Sequence, residues 1–443
     1  MRKRLAVGLA VLAVAASLSA YGLWRASTPP PIGVRGGLVP ARPTASATSP
    51  PEPTIGPPAF VEPYFPFLDD EASSGSVSVG CTSHGHLVNA VALADGEHCA
   101  TLPEHRGRGL RYGTAEVVAA IEAAAELLQQ RTGTRLWVGN ISQRGGGDVS
   151  YSVSHNAGRD VDLAFCYQDR AGQPVDPPGL ARLNSEGLTV DGLLRLDAPR
   201  TWLVIRSLLE SSVAQVQYVF VANPLKRLLL AHASAVRAPA ELVRRAAEVL
   251  MQPSAAAAHD DHLHVRFYCS RRDVEGGCRN TGAIHPWART FDDEKAERAH
   301  QVAASLDDDD AEQRRRALQR LVLLDADQHG DQVESRLADP VAAVRAAAAV
   351  AVGALGDRSM VPAIVAAADR ETDFATQVAL IESLSELGGG EAVRYLGKLI
   401  RGRSAEQLDP LGPEVRLAAA SQPAAWGVAF GQTAAAAVRR AGW

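Results

Sequence analysis

Two short stretches carry the residues best suited to chemistry. In His259-Asp260-Asp261-His262-Leu263-His264-Val265-Arg266, strand alternation puts His262 and His264 on one face and Leu263, Val265 and Phe267 on the other. His259 lies three residues upstream of His262. About a hundred residues earlier stands His155-Asn156-Ala157-Gly158-Arg159-Asp160-Val161-Asp162. Arg159 to Phe165 also alternates, with Val161, Leu163 and Phe165 opposite Asp160, Asp162 and Ala164. Two histidines and one carboxylate are what a catalytic zinc takes from a protein while keeping one position open. Such an ion activates a water and polarises a carbonyl, and a further histidine nearby can move the proton. Either stretch alone is weak evidence. Together, each on an expected strand, they point to one zinc-dependent hydrolytic site.

The surrounding sequence supplies the elements to position them. Thr114 to Gln130 reads as an amphipathic helix, with Thr114 as N-cap, an apolar stripe of Val117, Val118, Ile121, Ala124, Ala125 and Leu128, and Gly133 closing it. Leu136-Trp137-Val138 and Val216 to Val221 read as strands, and Thr201 to Leu209 and Ala240 to Met251 as helices. Gly145-Gly146-Gly147 marks a loop before the first motif. Helices and strands without regular alternation predict an α+β domain over residues 59–290.

The flanks have other compositions. Arg2, Lys3 and Arg4 precede an uncharged apolar run from Leu5 to Trp24, so residues 1–26 are expected to be a signal peptide or signal anchor. The positive end would stay in the cytoplasm and the rest of the chain outside it. Residues 27–58, with ten prolines, read as an extended linker reaching on the order of 90 Å. From about Glu294 alanine, leucine and arginine dominate. Asp339-Pro340-Val341-Ala342-Ala343-Val344-Arg345 leads to Ala354-Leu355-Gly356-Asp357, and Glu371 to Gly388 repeats the plan. A weaker copy begins near Asp307. Asp339 and Pro340 suit a helix start and Gly356 a helix end. The acidic run Asp307 to Asp310 reads as a solvated helix start. The pattern resembles HEAT-type helical repeats over residues 300–402, with an Ala-rich tail over 403–443. Stacked helix pairs would offer a surface to a protein partner.

The net charge of −5 argues against a nucleic-acid partner. Five cysteines, Cys81, Cys99, Cys166, Cys269 and Cys278, show no CxxC spacing. In an oxidising compartment they allow up to two disulfides and one free thiol. Cys166 is expected to pair with Cys81 or Cys99, or to be a buried thiol, and not to be a nucleophile. The second His-x-His, His84-Gly85-His86, reads as a surface or substrate-rim loop because of its central glycine.

Ser154-His155-Asn156-Ala157-Gly158-Arg159-Asp160-Val161-Asp162 resembles the Ser-His-x-x-Gly-x-Asp-Val-Asp motif of the penicillin-insensitive murein endopeptidases. His259 to Arg266 resembles their second motif. Phe220, Val221, Asn223, Pro224 and Lys226 fit the same family, and the similarity runs from about Gly80 to Cys278. The family lies among the zinc peptidases that include lysostaphin-type enzymes, D-Ala-D-Ala peptidases and hedgehog domains.

The resemblance implies a hedgehog/DD-peptidase-like α+β metallopeptidase domain, and the repeats imply an all-α HEAT-like solenoid after it. It implies His155, Asp162 and His264 as ligands of Zn2+, His262 as general base, and His259 assisting it or steadying the transition state. Asp160 or Asp260 would orient a ligand imidazole, and Cys269 would pair with Cys278. The implied activity is hydrolysis of D-alanyl-diaminopimelate cross-links in peptidoglycan by metal-activated water, in the periplasm or outside the cytoplasm. It would run without a serine for β-lactams to acylate. One departure is Ser152, where family members often carry histidine. Two alternatives stay open: a D,D-carboxypeptidase or D-Ala-D-Ala dipeptidase of the same group, and a non-catalytic cell-wall scaffold.

Overall fold

The computed structural model describes residues 75–400 except 151 and 255, with no side-chain description for 398–400. The expected signal segment, linker and Ala-rich tail lie outside the described residues.

The α+β part is built on a six-stranded sheet. Its members in chain order follow a hairpin, β1 (Val77–Cys81) and β2 (His84–Val88). They are β3 (Cys99–Thr101), β4 (Leu136–Val138), β5 (Asp160–Ala164), β6 (Val216–Phe220), β7 (Leu250–Met251) and β8 (His262–Phe267). Their spatial order is β7-β6-β8-β5-β4-β3. β8 lies at the centre, antiparallel to both β6 and β5. A central strand is a rigid mount, because both its edges are hydrogen-bonded.

One face of the sheet is packed by helices. α1 (Ala115–Thr132) follows the sequence closely: the Thr114 side chain accepts from the Val117 amide, and Gly133 closes the helix at φ 70°. Glycine reaches that left-handed conformation without a Cβ penalty. α2 (Ala198–Leu209) begins three residues before its expected start, because Asp197 caps it and Pro199 fits its first turn. α3 (Asn223–Ala235) and α4 (Ala240–Val249) follow. The expected helix through Met251 stops at Val249, because Leu250 and Met251 pair with Val219 and Phe220 at the sheet edge. Leu263, Val265 and Phe267 of β8 lie in the core with Val161 and Leu163 of β5, as alternation predicts. The opposite face of β5 and β8 carries the polar residues.

After the short α5 (Arg271–Glu275) the chain becomes helical: α6 (Asp292–Ala304), α7 (Ala311–Leu323), α8 (Gly330–Ser335), α9 (Ala342–Leu355), α10 (Val361–Ala368), α11 (Phe374–Leu387) and α12 (Gly389–Ile400). α9 packs against both α7 and α11, around a separate core rich in alanine. Asp310 caps α7 as expected. Asp339 does not cap α9: Val341 occupies that place, and the Asp339 carboxylate holds Arg314 at 2.8 and 3.0 Å. The plan recurs 31 residues on. Arg345 pairs with Glu371 at 2.7 Å, and both arginines also donate to the carbonyls just before their own helix. Leu323 of α7 packs against Val77, Val79 and Val88, which seats the hairpin on the helical part. No helix of the described residues is long and apolar enough to cross a membrane.

Candidate metal centre

Strand register brings the two motifs together. His264 of β8 stands opposite Asp162 of β5, and Arg266 opposite Asp160. Opposed residues on adjacent strands point to the same side, so imidazole and carboxylate meet without any loop to hold them. His264 Nδ1 lies 3.1 Å from Asp162 Oδ1. His262, one strand period away, places Nε2 3.3 Å from the same oxygen.

His155 arrives from the loop before β5. Its backbone is left-handed, at φ 71°, a conformation that a non-glycine residue keeps only where its surroundings fix it. The fixing contacts are local: the Asn156 amide donates to the Thr82 carbonyl and the Gly147 amide to Asn156. His155 Nε2 then lies 3.2 Å from Asp162 Oδ1, and its ring stands edge-on to His264 with centroids 4.8 Å apart.

The far nitrogens each face an acceptor. His155 Nδ1 donates to the Ile141 carbonyl at 2.6 Å; a carbonyl only accepts, so the neutral ring keeps its lone pair on Nε2. His262 Nδ1 bonds Asp261 at 2.6 Å, and His259 Nδ1 bonds the Ala257 carbonyl at 2.8 Å. His264 Nε2 faces Asp160 at 3.4 Å, and Asp160 is itself clamped by Arg266 through two 2.8 Å bonds. Metal-binding histidines are usually oriented in this way. Asp260, the other expected orienter, is turned away and bonded by Arg182.

Asp162 Oδ1 is buried and makes no hydrogen bond, although imidazole nitrogens approach it from three sides. A buried carboxylate oxygen left unpaired is costly, and a cation among these donors resolves it. His155, Asp162 and His264 offer one donor atom each within 4.8 Å of the others, as do His259, His262 and His264. Two imidazoles and a carboxylate suit a borderline divalent ion.

Charge follows the geometry. Burial opposes ionisation of Asp162, but the adjacent His155 and its neighbouring imidazoles hold the carboxyl well below its usual range. Burial pulls His262 down, and Asp162 and Asp261 more than reverse it, to about 10. Burial and the charges of His264 and His262 push His259 down to about 4, so it is neutral at pH 7.

Asn140 was not legible as a site residue. It donates to Asp162 Oδ2 at 2.9 Å and accepts from Arg108 at 3.3 Å. Only its place just after β4, beside β5, brings it there. Ser152 lies at a turn, its hydroxyl accepting from the Ser154 amide.

His84-Gly85-His86 is not a loop; it is β2 itself, with His86 buried. Among the cysteines only Cys269 and Cys278 are joined, and Cys81, Cys99 and Cys166 are free. One disulfide forms, within the expected limit of two, and three thiols stay free where one was expected. Burial pushes the Cys166 thiol up to about 11, which leaves it inert at neutral pH.

A family profile of penicillin-insensitive murein endopeptidases matches residues 78–319, more than half of the 443 residues. The chain belongs to that family. It is thus related to hydrolases that act on peptidoglycan, and the match extends past the α+β part through α6 into α7. No curated protein matches the chain. Among solved structures, the crystal structure of an engineered protein aligns with 13% identity over 56% of this chain and 93% of its own, at a TM-score of 0.22. A likeness that loose carries no argument.

Proposed function

We propose that this murein endopeptidase relative hydrolyses D-alanyl-diaminopimelate cross-links outside the cytoplasm, with Zn2+ held by His155, Asp162 and His264. The observation that carries the reading is the convergence of two imidazole nitrogens on the buried Asp162 oxygen at 3.1 and 3.2 Å. Zinc, when bound, polarises the scissile carbonyl and lowers the pKa of a water.

The chain's own groups do the rest. With a cation on Asp162 offsetting the carboxylate charge that helps raise His262 to about 10, the neutral His262 ring takes the proton at Nε2, with Asp261 on its Nδ1 keeping the tautomer correct and stabilising the imidazolium. It then returns the proton to the leaving amine. His259 commits Nδ1–H to Ala257, so its Nε2 can accept but not donate while neutral. That favours assistance in proton transfer over steadying an oxyanion. Asp160, clamped by Arg266, fixes the His264 ring.

We further propose that residues 59–290 are the catalytic domain and that residues 300–402 are HEAT-like repeats which position it or dock a partner. The recurring Arg314–Asp339 and Arg345–Glu371 pairs support the repeat reading.

The test is a digest of cross-linked peptidoglycan by the full-length protein, with the muropeptides separated. Loss of dimers to monomers is expected. Release of free D-alanine with dimers intact would point instead to the carboxypeptidase reading, and binding without turnover to a scaffold.

A further inference from the structure

We propose that His259, His262 and His264 form a second, outer seat for a transition-metal ion, alternative to the inner seat of His155, Asp162 and His264. The proposal rests on the inner set being the resident seat.

Three observations carry it. One nitrogen from each of the three rings lies within 4.8 Å of the others. The rings crowd edge-on or tilted, with centroids 5.0 Å apart for His259 and His262 and 5.4 Å for His259 and His264. Each ring also has its other nitrogen facing an acceptor: the Ala257 carbonyl, Asp261 and Asp160. These acceptors are the oriented outer partners that metal-ligating imidazoles need, and on each neutral ring they leave one lone pair for an ion, which must displace the proton of His262 to bind. His259 is held for this in a left-handed backbone at φ 54°, which a non-glycine residue rarely adopts.

The two seats differ in access and chemistry. The inner residues are all buried, whereas His259 and His262 are only partly so, so the outer seat faces the entering solvent. Its donors are three imidazoles, with Asp162 Oδ1 3.3 and 3.1 Å from two of them, a set that suits Cu2+, Ni2+ and Zn2+. Both seats use His264, so one ion fills one seat at a time. An ion in the outer seat occupies the nitrogens that the proposed proton transfer requires. That form is non-productive.

The experiment uses the full-length chain freed of metal and titrated with Cu2+, followed by electron paramagnetic resonance to count nitrogen ligands. The wild type should show a three-nitrogen component that His259→Ala removes, leaving the two-nitrogen pattern of the inner seat. Asp162→Asn and His155→Ala should each still bind one ion with three nitrogens, weakened by on the order of 100-fold. Adding His259→Ala to either should abolish binding.

A two-nitrogen spectrum unchanged by His259→Ala overturns the outer seat, as does loss of all binding in both Asp162→Asn and His155→Ala when circular dichroism shows them folded. Should those two variants unfold, the wild-type and His259→Ala spectra decide alone. If His259→Ala by itself abolished binding while Asp162→Asn left it intact, the outer seat would stand and the inner-seat reading beneath it would fall.

Discussion

The chain carries two His-x-His pairs on strands, and they do different things. His262 and His264 sit on a central strand whose polar face meets two buried aspartates across the register. His84 and His86 sit on a two-stranded hairpin, where Val79 and Cys81 are their partners across the register, and the acid that acts on His86 is Asp148, from a loop. The spacing is the same; what differs is the neighbouring strand. A His-x-His signature therefore becomes a site only when the sheet supplies an acid at the matching register and acceptors behind the rings. The glycine between the hairpin histidines is steric: a Cβ at Gly85 would lie 2.4 Å from the Cys81 carbonyl oxygen and 2.8 Å from the Ala157 side chain.

Several substitutions sharpen that contrast. His264→Ala removes a donor common to both proposed seats. Hydrolysis of cross-linked muropeptides should fall beyond about 10⁴-fold, past the range for losing one acid–base group. His262→Ala should leave the resident ion in place and lower kcat by roughly 10²–10⁴-fold; a loss below tenfold would remove it as the base. Asn140→Ala takes away the only side-chain donor to Asp162 Oδ2 among the described hydrogen bonds. It should weaken metal affinity about 10–100-fold in competition with a chelator, with little change in kcat once the site is loaded.

Acidity gives a smaller, directional effect. His262 is raised to about 10 by Asp162 and Asp261 against the pull of burial. A histidine raised above its unfolded value contributes stability that is complete below about pH 6.5 and is lost as pH climbs to about 10. The melting temperature of the metal-free protein should fall over that window, and His262→Gln should flatten part of the slope. An identical slope in the variant would mean that the charge pairs are not formed. At the other end of the scale, the exposed His84 ring has its described hydrogen bond with Ser83. His84→Ala should shift stability by no more than about 0.5 kcal/mol and leave muropeptide turnover unchanged. A large loss there would erase the distinction between the two pairs.

Sequence reading succeeded where local rules and alternation govern. The cap, stripe and glycine of α1 bounded it, and the alternation around Val161 and Leu263 placed His264, Asp162 and Asp160 on one face. It failed where tertiary contacts decide. Asn140 and the Ile141 carbonyl reach the site only because β4 lies beside β5. Gly85 looked like a loop breaker, yet it is the small residue a strand needs where other backbone approaches. Asp339 had the type and place of a cap, but Arg314 of α7 competes for it. The Cys count allowed two disulfides, and the fold joins only Cys269 with Cys278.

The most direct test is the metal content of the purified full-length protein, measured by mass spectrometry after exposure to Zn2+ and exhaustive dialysis. The account predicts about one ion per chain for the wild type and for His262→Ala, and almost none for His264→Ala. A folded His264→Ala protein that kept a full equivalent would contradict it, because then neither proposed seat would be holding the ion.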